Sequence, residues 1–175
     1  FLECSGNSYR NTLETVLDET AGGLNGLISC AEWTGIPLHY LLDEAGLDES
    51  ATWVVAEGAD AAGMNRSVPL SLATSDALLA LYQNGEPLRR SQGFPMRLLV
   101  PGCEGNLSVK WLRSLKVMNQ PAHTREETSK YTDLQLDGNA WQFSLRMGVK
   151  SVITSPSGQM QLPEKGVFEI TGLAW

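Results

Sequence analysis

The chain has 175 residues, of which 42% are apolar, enough to bury the core of one domain or of one domain and part of another. Its formal net charge of −7 argues against nonspecific nucleic-acid binding, which needs clustered Lys and Arg to displace counterions. No unbroken apolar run is long enough to cross a bilayer, and the acidic balance is compatible with a secreted or periplasmic protein.

In chain order, Phe1-Leu2-Glu3-Cys4 reads as the end of a β-strand already in progress, without a signal sequence before it. The chain is therefore expected to be a fragment of a longer precursor, cut at both ends. Pro37–Ala45 is predicted as a helix: Pro37 suits its first turn, Leu38, Leu41, Leu42 and Ala45 form one apolar face, and Gly46 can stop it. Trp53–Ala56 reads as a buried strand entering the loop Glu57-Gly58-Ala59-Asp60. Ala77–Tyr82 fits helix or strand, and the Asn84-Gly85 turn favours a strand entering a hairpin. Arg97–Val100 is a short strand halted by Pro101-Gly102. Val109–Met118 alternates as a half-buried strand, with Val109, Trp111, Leu115 and Val117 on one face. Asn119–Asp137 is polar with little periodicity. Short strands follow at Gln142–Met147, Ser151–Thr154 and Val167–Ile170, as at the start of an all-β sandwich. An α+β domain over residues 1–133 and the beginning of a second domain over 134–175 are expected, and strands with nothing left to cover them predict association with another chain.

Cys4, Cys30 and Cys103 show no C-x-x-C spacing, which disfavours a structural zinc site or a redox pair, and no C-x-x-C-H for covalent haem. Taken alone, Cys4 fits a buried free thiol, a soft metal ligand or a nucleophile. The last wants an imidazole, and only His39 and His123 exist, neither within a motif. Arg97, Ser108 and Lys110 flank a Pro-Gly turn and could donate to a phosphate, although exposed cations on strands are usually solvated.

The order of several motifs is more specific than any one of them. Cys4-Ser5-Gly6-Asn7, Trp33-Thr34-Gly35, Glu57-Gly58-Ala59-Asp60, Asn84-Gly85-Glu86-Pro87-Leu88, Gly93-Phe94-Pro95-Met96-Arg97 and Pro101 to Trp111, with Tyr131 beyond, resemble the molybdenum-cofactor domain of the sulfite oxidase family across nearly the whole chain. In that family Trp33-Thr34-Gly35 would belong to a helix, and Lys150-Ser151-Val152-Ile153-Thr154 would open an immunoglobulin-like dimerisation domain. Thr124–Leu134 and Glu169–Trp175 resemble most the sulfane dehydrogenase branch, which serves periplasmic thiosulfate oxidation.

The resemblance implies a molybdenum–molybdopterin cofactor with Cys4 as the one protein ligand. Asp60, Arg97, Ser108, Val109 and Lys110 fall at pterin-contacting positions, and Tyr131 at the active-site tyrosine, an interface tyrosine being the alternative. Gln92 stands where sulfite oxidases have a histidine, and Arg10 is a candidate for their substrate-binding arginine, out of register. The implied activity is oxygen-atom transfer to sulfite or to sulfane sulfur on a carrier protein, with electrons passed to a separate cytochrome c. A homo-oligomer in the periplasm is expected. A sulfoxide-type reductase and a cofactor-free association domain are the alternatives.

Overall fold

In the computed structural model the described residues are 1–12 and 18–175. The chain opens with β1 (Leu2–Glu3), a 3-10 turn at Tyr9–Thr12, α1 (Ala21–Asn25) and β2 (Ile28–Ser29), which pairs antiparallel with β1. Then come β3 (Trp33–Pro37), α2 (Leu38–Ala45), β4 (Trp53–Gly58), β5 (Asn65–Pro69), α3 (Leu70–Ser75) and β6 (Leu78–Gln83). The series β7 (Glu86–Pro87), β8 (Arg97–Leu99) and β9 (Leu112–Met118) leads to α4 (Arg125–Ser129). Two hairpins close the chain, β10 (Thr132–Leu134) with β11 (Ala140–Gln142), and β12 (Ser151–Ser155) with β13 (Thr171–Ala174).

Two antiparallel sheets carry the fold. One pairs β6 with β3, β7 and β8, and the other runs β5–β4–β9. Because β4 is paired on both edges and covered on both faces, Val54, Val55 and Ala56 are buried in succession rather than alternately. Their core continues through Leu38, Leu42, Val68, Leu79 and Leu98. Full burial of such side chains is worth about 1.5–3 kcal/mol each.

Several local expectations need correction. Trp33-Thr34-Gly35 lies in a strand, not a helix: β3 pairs with β6, and a Cβ on Gly35 would fall 2.0 Å from the Leu79 carbonyl oxygen. α2 begins only at Leu38, because Pro37 is extended, and it buries Leu38 and Leu42 while Leu41 faces outward at 45% exposure. Gly46 does end the helix, at φ 74° and ψ 116°, a positive φ outside the left-handed helical region. The strand expected from Val109 starts at Leu112, since Trp111 is left-handed (φ 51°); a register shift beside Gly58 turns Leu112 inside, and Val117 is exposed.

Farther along, Gln142–Met147 is not a strand: positive φ at Phe143 and Leu145 breaks the pairing after Gln142. Leu145 instead accepts from the Glu104 N–H (2.7 Å), and the Met147 N–H donates to Gly102 (3.1 Å). Val167–Ile170 lies before β13 rather than in it. The polar stretch Asn119–Asp137 holds α4, started by a capping box of Thr124 and Glu127.

Candidate active site

The turn after β1 is fastened by backbone and side-chain bonds together. The Cys4 N–H donates to the Leu27 carbonyl and the Asn7 N–H returns to the Cys4 carbonyl, both at 2.9 Å. Cys4 is left exposed, which removes the buried-thiol reading for it; Cys103 is the buried cysteine. The Asn7 carboxamide accepts from the Leu27 N–H (3.0 Å) and donates to Glu3 (2.9 Å).

Cys4 opens into a cleft of about 340 Å³ that is also lined by Asp60, Arg97, Ser108, Val109, Lys110 and Tyr131. Seven residues singled out in the sequence, from five separate segments, thus share one cavity. Asp60 receives the Met64 N–H at 3.0 Å, which shapes the turn that brings it there. The Ser108 hydroxyl accepts from the Val100 N–H (3.0 Å), and the Lys110 ammonium donates to the Ser91 carbonyl (3.0 Å). Gly93 has φ 111°, and a Cβ there would meet the Arg97 Cβ at 3.1 Å and Lys110 at 3.2 Å, so this approach requires glycine.

Two expected residues lie off the cavity lining. Gln92 supports Arg97 from behind, accepting from its Nη1 through the backbone carbonyl (3.2 Å) and the side chain (3.4 Å). Arg10 is turned to Glu19 in a 2.8 Å ion pair. His39 stacks on Tyr40 and His123 lies beside Phe143; neither lines the cleft.

Arg97 is the electrostatic centre. It is 4% exposed, and among the described residues it donates only to oxygens of Gln92 and Ser108, with no partner for its Nε. Among the described residues no carboxylate forms an ion pair with it. Burial therefore drags its pKa down to about 10, still charged at neutral pH. A buried cation without a counter-ion is costly, and an anion entering the cleft would remove that cost.

Sequence reasoning missed a second buried group. Arg66, on β5 and 1% exposed, touches Asn106, lies 3.9 Å from Glu104 and 3.6 Å from Glu127, and sits 4.8 Å from the centre of the Tyr131 ring. Glu127 also binds Ser67 through its N–H and its hydroxyl. A lone arginine in a strand carries no motif, so only the T-x-x-E box containing Glu127 was readable. Burial raises the Tyr131 phenol, Arg66 lowers it, and Cys4 and the nearby glutamates raise it; the net shift is upward. The phenol remains a neutral donor.

Among the described residues no three His, Cys, Asp or Glu side chains gather to hold a metal ion. A metal at Cys4 would have to bring most of its ligands with it. An exposed thiol, an uncompensated buried cation and further donors in one cleft suit a metal carried by an anionic organic group.

The family described as oxidoreductase molybdopterin binding domain matches residues 1–126. The chain belongs to that family. It is 32% identical to human mitochondrial sulfite oxidase over 99% of this chain and 35% of that protein. The nitrate reductase [NADPH] of Phytophthora infestans is 34% identical over 79% of this chain and 19% of that protein. The crystal structure of the sulfane dehydrogenase SoxCD from Paracoccus pantotrophus superposes with a TM-score of 0.90 at 45% identity, covering 99% of this chain and 45% of that one. This member of the family thus spans about a third of the sulfite oxidases and under half of the solved relative.

Proposed function

We propose that the chain carries the molybdopterin site of an enzyme that oxidises sulfur, with sulfane sulfur on a partner protein's cysteine as the preferred substrate and sulfite as the alternative. The observation that carries this reading is the pairing of the exposed Cys4 thiol with the uncompensated Arg97 in one cleft. The 45% identity to a sulfane dehydrogenase supports the narrower substrate.

In this reading Cys4 supplies the one protein sulfur to molybdenum, and its thiol must lose a proton to do so. Arg97 and Lys110 neutralise the pterin phosphate, while Ser108, Val109 and Asp60 shape the remaining wall. Gln92 acts through Arg97 by holding its guanidinium. When bound, the cofactor supplies two-electron oxidation with oxygen-atom transfer to sulfur. Tyr131 donates a hydrogen bond to the reacting group, and Arg66 keeps the ring in place through its face. Arg10, occupied by Glu19, has no part in the proposal.

The electron acceptor is proposed to be a separate c-type cytochrome. Residues 134–175 are proposed as the start of an immunoglobulin-like dimerisation domain, and the protein as a homo-oligomer. Support comes from the two hairpins, whose strands join no other sheet among the described residues, and from Leu136, Val149 and Val167, which lie almost fully exposed. The test is reduction of cytochrome c by the molybdenum-loaded protein, given a persulfidated cysteine peptide or sulfite. Turnover is expected with the persulfide first; a loaded protein that reduces cytochrome c with neither would overturn the proposal.

A further inference from the structure

Glu3 precedes Cys4 and has a side chain with 0% exposure, yet no role in the cleft requires a buried carboxylate there. Its three partners explain it. Oε1 accepts from the Lys150 ammonium (2.7 Å) and from Asn7 (2.9 Å), and Oε2 accepts from the Trp175 indole N–H (2.8 Å). Lys150 also donates to the Asn7 carbonyl at 3.1 Å.

Lys150 and Trp175 are 25 residues apart, but they meet as the last pair of the β12–β13 hairpin. The Lys150 N–H donates to Trp175 at 2.8 Å, and the Trp175 N–H returns to Lys150 at 3.0 Å. The hairpin thereby presents a cation and an indole side by side, each on its own oxygen of Glu3. Asn7 closes the circuit, since its backbone N–H holds the Cys4 carbonyl. A charge-assisted hydrogen bond is about twice as strong as a neutral one, and a buried carboxylate left without donors is a large penalty. The turn bearing Cys4 is thus braced by the hairpin end through Glu3 and Asn7, in addition to its own backbone bonds with Leu27.

We infer that Lys150 and Trp175 are positioning residues that act through Glu3 to hold the Cys4 turn in the geometry a metal ligand needs, making the C-terminal hairpin part of the support of the site. The inference deepens the molybdopterin reading and rests on it for the role of Cys4. It assigns Lys150 and Trp175, which line no part of the Cys4 cleft, a specific effect on it.

The experiment is amide hydrogen exchange on the whole chain, comparing wild type with Lys150→Met, Trp175→Phe and Lys150→Arg. Exchange at the Cys4 and Asn7 amides should quicken about tenfold in the first two variants while the β4 amides stay unchanged, because a local opening lies below global unfolding. Molybdenum content of the same preparations should fall by about threefold or more, and Lys150→Arg, which keeps a charged donor, should restore both. Unchanged exchange at Cys4 overturns the inference. So does an equal rise in β4, which is the behaviour of a merely structural contact, and so does undiminished molybdenum. A wild-type chain without molybdenum bears on the cofactor reading instead, and the exchange at Cys4 still decides whether the clasp exists.

Discussion

Cys4→Ser should abolish turnover while leaving the fold intact. A hydroxyl is a harder and far less acidic ligand than a thiol, so the metal would lose its one protein sulfur. The fold should not notice. Cys4 is exposed, and the bonds that set its turn run through its backbone and through the Asn7 and Glu3 side chains rather than through its thiol, so serine retains them. A substitution of this kind usually stays within about 0.5 kcal/mol in stability. Turnover with a sulfur substrate and a thermal melt check the two halves, and undiminished activity would contradict the assignment of Cys4.

Arg97→Ala should be the next most damaging change, through cofactor content rather than chemistry. A phosphate that loses a buried charged donor forfeits about 1.5–3 kcal/mol, roughly a 10- to 150-fold loss of affinity. The chain itself gains something in return, since burial of an unmatched cation, visible in the guanidinium pKa lowered to about 10, disappears. Stability without cofactor should therefore change less than cofactor affinity does. Lys110→Ala should act in the same direction and less strongly, because the Lys110 ammonium is tied to the Ser91 carbonyl near the surface. Molybdenum content measured on both variants checks this, and wild-type occupancy in both would move the phosphate site elsewhere.

The parts of the site that were legible sit on short turns that say little one by one and became readable through the order of the motifs that carry the family resemblance. Cys4 follows a strand end and precedes Gly6-Asn7, and Asp60 closes a tight loop. Arg97, Ser108 and Lys110 surround a Pro-Gly turn. What could not be read is what neutralises what. Arg66 looks in sequence like a solvated strand charge, and only tertiary packing shows Glu104, Glu127 and Tyr131 around it. Glu3 was visible within the first motif, but its partners Lys150 and Trp175 lie 147 and 172 residues away, and no local pattern links them.

The same division runs through the fold. α2 was readable from Pro37 and Gly46, although its apolar face proved narrower, with Leu41 outside. The Ala77–Tyr82 segment resolved as a strand because Asn84-Gly85 turns it back as β7. The failures came where backbone conformation departs from what side-chain texture suggests. Phe143 and Leu145 look like strand residues but take positive φ, since their segment bonds to the 102–104 loop rather than to a neighbouring strand.

The most direct test of the central claim is the molybdenum content of this chain, produced in a host that makes molybdopterin and measured by elemental analysis against protein concentration. The cleft of Cys4, Arg97 and Lys110 predicts close to one molybdenum atom per chain, lost in Cys4→Ser. Folded protein from such a host with no molybdenum above background would contradict it.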